Sequence, residues 1–542
     1  MSGDLGVRVM GGAAYDGSSS VDRMMATWDS PIQTVDQDII PEKQVIDGRV
    51  RDTLRNDSYV AGGATLHKDN IVGSQFTLNA KPETDILGFT EAWEEAFQKE
   101  VEAKFTLWAE SPNNWMDASS MNTLTGFIRL ALGVYVQGGE VATSVEWLKG
   151  QARPFNTAFQ MIDPDRLSNP LGEMERPGMR GGVEQDLFGA PIAYHVRKAH
   201  PNDWLNSEAY QWKRVPKTKP WGRMQFIHII EQFRPDQTRG ISEMVTALKE
   251  CRVTKRFRDI ALQKAVTNAT YAATIESDLP TEEIFQRLGA TGGGEEGFTD
   301  AIENYMRSYL KTVAGYTSKS KNLHLDGVRI PHLPPGSKLN LNQAGQGGDL
   351  GSEFEQSLLR YIAGALGVSY EQLSRDYTNT NYSSARAAMT ETWKFMQSRK
   401  KAVADRLATH IYRCWLEEAI NTDQLKSFPA NKAGMLYSNG VLNMMFEALT
   451  ACDWIGASRG QIDEKKETEA AILRIEAGIS TIEIESARLG LDFRKIIRQR
   501  AREKRMLVAA GLWVEPKAKG QMGHNGGPAL DDEKTDGEKE DA

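Results

Sequence analysis

Several patterns in the chain have the form of a reactive site, and residue type and spacing decide how far each can be taken. Gly292-Gly-Gly-Glu-Glu-Gly297 fits GxGxxG, the spacing with which a strand-to-helix turn lays backbone amides against a pyrophosphate. It follows Ala290 and Thr291 rather than a strand, and it lacks the GxxxxGK[ST] pattern. Glu295 and Glu296 would repel a phosphate held there, so a flexible loop is the simpler assignment. Gly456-Ala-Ser-Arg-Gly460 fits GxSxG, the strained turn that presents a serine nucleophile between a buried strand and a helix. Phe446 to Ile455 is expected to be helical instead, and no histidine or acid can be assigned as partner, so a helix–helix turn is expected.

Metal chemistry is equally thin. No HExxH helix occurs. Cys251, Cys414 and Cys452 are far apart and form no CxxC pair, which fits unpaired thiols in a reducing compartment. A two-metal nuclease needs several carboxylates converging on one point. Asp163, Asp165, Glu184 and Asp186 are candidates, but Asp163-Pro-Asp165 is an ordinary turn builder and the others suit a strand surface. His195 and His228 lie among apolar neighbours in expected strands, where a hydrogen-bonded core or interface histidine is the plainer role. No catalytic, cofactor or metal residue is assigned.

The basic clusters say more. Lys249, Arg252, Lys255, Arg256 and Arg258 outnumber Glu250 and Asp259 on one expected helix, and Arg494, Lys495 and Arg498 lie in a crowded basic region near the C-terminus. Such helices can face phosphate, or carry solvated charges with partners across a subunit interface; both remain open. Ala477 to Gly490 has a helix-turn-helix flavour, a short pattern that recurs by chance.

The elements that must position these residues follow from pattern. At 542 residues and about 150 residues per domain, three or four compact units are expected. Residues 1–40, rich in Gly, Ser, Asp and Met, are expected to form a flexible arm. Helices are expected over Ile40 to Ala61, Thr90 to Trp108 and Met121 to Gln137. Short strands broken by Pro and Gly form a mixed β layer between Phe155 and Gln232, with two strands around a Gly189 turn. A long helix without Gly or Pro runs from Ser242 to Ile275. Helix resumes at Ser352, with Phe354, Leu358, Ile362 and Leu366 on one face. After a polar break at Gly367 to Asn381, Met389, Trp393, Met396, Val403, Leu407, Ile411 and Trp415 form one stripe, with Ser383 as N-cap. A helical unit spans Asp463 to Leu512, and the acidic residues beyond 513 suit a disordered tail. No run of about 18 apolar residues is present to span a membrane. The N-terminus lacks the regions of a signal peptide, so synthesis in the cytosol is expected.

Ala365-Leu-Gly-Val-Ser-Tyr-Glu-Gln-Leu-Ser-Arg-Asp-Tyr-Thr-Asn-Thr-Asn-Tyr-Ser-Ser-Ala-Arg-Ala-Ala388 closely resembles the signature of lambda-family phage portal proteins. Further blocks resemble that family in the same order. They include Arg49 to Asp57 with Asn70 to Gly73, Gln160 to Leu167, Gly182 to Asp186 with Tyr194 and His195, Ile227 to Ile229, Gln237 to Ser242, and Ile462 to Phe493. The resemblance covers roughly residues 45 to 512. One departure is Met116, in Trp115-Met116-Asp117, where the family often has Cys.

The resemblance implies an α+β, mainly helical fold with wing, stem, clip and crown regions, assembled as a homo-oligomeric ring of about twelve copies at one capsid vertex. It implies a flexible arm at 1–40, a wing at 41–240, a first stem helix at 241–275, a clip at 276–346 and a second stem helix at 347–367. A tunnel loop at 368–384 would then lead to the long wing helix and following helices at 385–450, a helical crown at 451–512 and the tail at 513–542. The implied partners are double-stranded DNA without sequence preference, the terminase large subunit, major capsid and scaffolding proteins, and head-completion and tail connector proteins. The implied setting is the virion, with assembly in the host cytoplasm, and no membrane or cofactor. In the tunnel loop Tyr377, Thr378, Asn379, Thr380, Asn381 and Tyr382 would contact DNA. A net charge of −8 and neutral loop residues suit a conduit, since each firm Lys/Arg–phosphate contact would add to a trap multiplied around the ring. The competing classes are a metal-dependent nuclease and a DNA-binding packaging adaptor using the basic C-terminal helices.

Overall fold

The structure is a computed structural model that describes residues 27–28, 30–150, 153–270, 350–378, 380–460 and 463–513, with short pieces at 307, 311, 323–325 and 328–330. The glycine run at 292–297, most of the implied clip, the first part of the N-terminal arm and almost all of the tail lie outside the described residues. The chain divides into two units, residues 1–462 and 463–542.

In the first unit, α1 (Val35–Asn56) starts on a capping box in which the Thr34 hydroxyl accepts from the Gln37 amide and Gln37 reaches back to the Thr34 amide. The helix therefore begins inside the stretch expected to be an arm. It ends at Asp57, whose carboxylate accepts from the amides of Tyr59 and Val60 and so opens α2 (Ser58–Ile71). The helix expected over Ile40 to Ala61 is thus two helices, because an extended Asp both stops one and caps the next. Then follow β1 (Thr77–Ala80), the single turn α3 (Thr84–Leu87), α4 (Glu91–Ala109) and α5 (Leu124–Gly138). The last two lie close to the expected bounds. Helical spacing buries Phe97, Val101, Phe105 and Trp108 on α4, and Phe127, Ile128, Ala131 and Leu132 on α5.

Two antiparallel sheets follow. β2 (Glu140–Trp147) is the centre of a three-stranded sheet, between β3 (Thr157–Ile162) and β8 (Phe226–Ile230). The second sheet runs β4 (Met179–Arg180), β5 (Val183–Gln185), β6 (Pro191–Arg197) and β7 (Trp212–Pro216) in that order, with the expected turn at Gly189 between β5 and β6. Every strand pair within these two sheets is antiparallel, with one isolated parallel bridge between Asp117 and Phe159 of β3. Pattern missed β2 because nearly all of it is buried, so no polar alternation marks it.

The second half of the unit opens with α6 (Leu248–Thr270). The hairpin β9 (Leu323–Leu325) and β10 (Val328–Ile330) precedes α7 (Leu350–Leu366), α8 (Tyr370–Ser374) and α9 (Tyr382–Arg399). A π-helical segment, Lys400–Asp405, joins α9 to α10 (Arg406–Asn421). In that interrupted helix Met396, Val403, Leu407, Ile411 and Trp415 are buried as the stripe predicted, while Met389 and Trp393 are half-buried. The N-cap is Asn381 rather than Ser383, its side chain accepting from the Ser384 amide at 2.8 Å. The hairpin β11 (Tyr437–Ser438) and β12 (Val441–Leu442), helix α11 (Met444–Leu449) and β13 (Cys452–Ile455) close the unit. β13 pairs antiparallel with β1, so the helix expected over Phe446 to Ile455 is half strand. Pairing to a distant partner overrode local pattern there. Residues 456–460 are irregular, not a helix start, so GxSxG is no nucleophile elbow.

Charged groups sit at the centre of this unit. Glu140 has no solvent exposure. The Arg239 guanidinium donates to it at 2.6 Å, the Gly240 amide at 2.9 Å, Lys43 Nζ lies 3.2 Å away and His228 Nε2 3.1 Å. Burial raises the Glu140 carboxyl, but Arg239 and then Lys43 and His228 outweigh it and hold the group well below the ordinary range. Arg239 also donates to the carbonyls of Pro164, Leu167 and Gly181, and Lys43 to those of Gly138 and Gly240. The close approach needs Gly139, which has φ +72° and whose Cβ would stand 2.0 Å from the Ile241 carbonyl oxygen. Asp47 is held less well. Lys43 is 3.1 Å away, yet its oxygens accept no hydrogen bond among the described residues, and burial pushes the carboxyl up to about 6.

The second unit contains α12 (Glu464–Glu476), α13 (Ile482–Arg488) and α14 (Phe493–Ala509). Arg474 and Arg488 clamp Glu485 across the first turn, and the Arg474 hydrogen bonds hold its carboxyl at about 2. No residue of α14 is buried.

Two stability changes of opposite sign follow. Arg239→Met leaves Glu140 charged, buried and underpaired, and should cost about 3–5 kcal/mol in denaturant unfolding. Asp47 has a folded pKa raised above its unfolded value, so its charge disfavours the fold at neutral pH and ceases to do so as pH falls below about 4. Asp47→Asn should therefore raise the unfolding midpoint at pH 7.5, with the gain shrinking toward pH 4.

Candidate nucleic-acid interface

α6 and α7 lie side by side. Phe257 and Phe354 meet edge to face with ring centroids 5.4 Å apart, and Arg258 Nε donates to Glu355 at 2.7 Å. Arg258 also lies 3.7 Å from Asp57 and packs its guanidinium 4.5 Å from the Tyr59 ring centre. It is therefore bound within the subunit, tying both helices to the α1–α2 junction. The other basic residues of α6 behave differently. Lys249, Arg252 and Arg256 are exposed on one face at three- and four-residue spacing. They and half-buried Lys255 form no ion pair among the described residues. Exposed Val253 and Ile260 interleave with them, so the face has the mixed character of a surface that another subunit can cover.

α7 ends against α2, where the Leu366 carbonyl lies 2.8 Å from His67 Nε2. Gly367 then reverses the chain with φ +63°, under the Phe395 ring, where a Cβ would stand 2.2 Å from a ring carbon. α8 occupies the first part of the implied tunnel loop, opened by a capping box of Ser369 and Gln372. The irregular stretch is thus Arg375 to Asn381. Arg375 ends α8 in the left-handed region, φ 58°. Asp376 accepts from the Thr378 amide and hydroxyl, bonds that hold its carboxyl below the ordinary range. The Thr380 amide donates to the Tyr377 carbonyl at 3.1 Å, and Asn381 caps α9. Tyr377, at 54% exposure, and Thr378 present their side chains to solvent. Asn379 and the Tyr382 side chain lie outside the described residues. On α14, Lys495 and Arg498 are exposed and Arg494 half-buried, with Lys495 3.7 Å from Asp492; they belong to the other unit.

The candidate nuclease carboxylates do not converge. Arg51 donates to Asp165 through both terminal nitrogens, at 2.5 and 2.9 Å, and reaches Asp163 at 3.3 Å. Glu184 pairs with Arg214, and Asp186 accepts from its own turn. Asp163, Asp165 and His200 place ligand atoms within 4.8 Å of one another, but Arg51 already supplies the positive charge at that point. Inspection of the sequence missed this pairing of Arg51 with Asp163 and Asp165, since 112 residues separate Arg51 from Asp163.

The model of the phage portal protein, lambda family, matches residues 21–400. Portal protein B of Escherichia phage lambda is 36% identical over 502 residues, covering 92% of this chain and 90% of the relative. The chain belongs to the lambda family of phage portal proteins. The portal protein of Escherichia phage N15 is equally similar, at 36% identity over 92% of this chain and 91% of its own. Among solved structures, the neck of an empty gene transfer agent particle aligns over 82% of this chain and 93% of that one, at 14% identity and a TM-score of 0.39. As a portal protein the chain is a head–tail connector component of a phage particle.

The division of the α6 cations is testable. Arg258→Gln should lower the unfolding free energy of the subunit by about 1–3 kcal/mol, through loss of charged hydrogen bonds. Lys249→Gln, Arg252→Gln and Arg256→Gln should each stay within about 0.5 kcal/mol of the parent. Equal losses across all four would contradict the placement of Arg258.

Proposed function

We propose that this portal protein assembles as a closed ring of about twelve copies at one capsid vertex, and that double-stranded DNA passes along its axis during packaging and ejection. The observation that carries this reading is the 36% identity to the lambda portal protein over nearly the whole of both chains. Closed cyclic symmetry needs two different, complementary faces on each subunit, and the basic-apolar face of α6 is one candidate. In this reading α6 and α7 are the stem helices, 276–346 the clip, 368–384 the tunnel loop, 385–450 the long wing helix and following helices, and 451–512 the crown. Tyr377 to Tyr382 meet the DNA backbone. Neutral side chains there limit phosphate binding, which keeps a moving duplex from stalling. Terminase docks on the ring during packaging, and capsid, scaffolding and tail connector proteins hold it afterwards. The protein acts without catalysis, first in the host cytoplasm and then in the virion.

Negative-stain electron microscopy with a solution mass should show rings with an axial hole; a stable monomer or dimer across salt and magnesium conditions would count against the ring. Replacing Tyr377 and Asn379 by alanine should leave rings intact while DNA packaged per particle falls. Loss of assembly from these changes would remove the loop assignment.

A further inference from the structure

At the end of β2 away from Glu140, a cleft of about 740 Å³ opens between β2, the β7–β8 connection and the C-terminal end of α10. Its walls are aromatic. Trp147 and Trp221 keep 45% and 41% of their surface exposed, and both line the one cleft, so together they give it a shared apolar surface. Both are fixed. The Arg223 guanidinium lies 5.3 Å from the Trp147 ring centre, and Trp221 Nε1 donates to Glu417 at 2.9 Å. Arg223 is itself buried, donating to Glu417, to the Cys414 carbonyl and to the Thr157 hydroxyl.

Hydrogen-bonding capacity in the cleft is lopsided. Glu417 is occupied by Arg223 and Trp221, and Glu418 accepts from the Asn156 and Thr157 amides and the Asn156 side chain. Lys149, Lys213 and Lys219 line the rim and make no ion pair among the described residues. The cleft therefore offers rigid apolar faces inside and, at the edge, three ammonium groups unpaired among the described residues, beside Glu146, which accepts from the Ser144 hydroxyl.

We propose that this cleft docks an acidic peptide segment of a partner protein, with an aromatic or branched aliphatic side chain between the two indoles and carboxylates on the three lysines. A nucleic-acid strand fits less well. The cleft offers two indoles rather than an extended run of aromatic faces along which successive bases could stack. The volume suits one or two side chains. None of residues 368–384 lines the cleft.

Fluorescence anisotropy on the full chain tests it, with a fluorescein-labelled peptide of Asp and Glu residues around a central Phe-Leu pair. Saturable binding should weaken about ten-fold or more on Trp147→Ala, as for loss of a buried aromatic anchor. The triple Lys149→Gln, Lys213→Gln, Lys219→Gln variant should weaken binding and flatten its salt dependence, and the peptide with Ser in place of Phe-Leu should bind far less. The unfolding midpoint of each variant shows whether the fold is intact; the lysine changes, at the surface, keep the test decisive if Trp147→Ala misfolds. Absence of saturation, binding indifferent to the lysine triple, or displacement by oligo-dT at lower concentration than unlabelled peptide would each overturn the proposal. So would loss of ring assembly in variants that show no peptide binding, which would make a second copy of the chain the occupant.

Discussion

Glu140 is fully buried, and its carboxylate stays charged there only because Arg239, Lys43 and His228 surround it. A lone buried charge costs several kcal/mol, so each partner must be present and correctly placed. The partners come from α1, β8 and the segment before α6, and Arg239 adds the carbonyls of Pro164, Leu167 and Gly181. One carboxylate thus locks together the first helix, both sheets and the approach to the first implied stem helix. The apolar core alone would tolerate small slips of these elements; a network of fixed donors and acceptors does not.

The blocks that carried the family resemblance acquire a physical meaning from this centre. Gln237 to Ser242 supplies Arg239, Gly240 and Ser242, whose hydroxyl donates to the Val136 carbonyl. Gln160 to Leu167 supplies two of the carbonyls that hold Arg239, Ile227 to Ile229 supplies His228, and Arg49 to Asp57 supplies Arg51 for Asp163 and Asp165. These blocks are far apart in the chain and adjacent in space. They define a scaffold.

The cations of the chain are sorted by the same electrostatics. Those with a carboxylate in reach, such as Arg51, Arg223, Arg239 and Arg258, are held inside or at seams. Lys249, Arg252 and Arg256, and the lysines around Trp147, have none among the described residues. Exposed cations of this kind contribute little to stability, which leaves them available to a neighbouring molecule. In the irregular stretch after α8 a different rule holds: Asp376 and Asn381 are turned on neighbouring backbone amides, which fixes local shape, while Tyr377 and Thr378 face solvent with neutral side chains.

Amphipathic spacing and end signals made most helices legible in the sequence, because a 3.6-residue period and a capping side chain are local facts. α4, α5 and the stripe from Met396 to Trp415 are where that spacing puts them, and the β5–β6 turn sits at its glycine. The family signature was legible too, as an ordered string of residues. Local pattern could not show that Asp57 splits one helix into two, that β2 is a strand buried on both sides, or that Cys452–Ile455 leaves a helical context to pair with β1. Nor could it separate Arg258 from Arg252 and Arg256, since all are basic residues on one helix. Each of these depends on a partner brought near only by folding, from Glu355 for Arg258 to Ala80 for Cys452. Sequence determined the periods, the caps and the family; tertiary structure decided which charges are satisfied within the subunit and which are left for others, because ion pairing depends on distance in space and not along the chain.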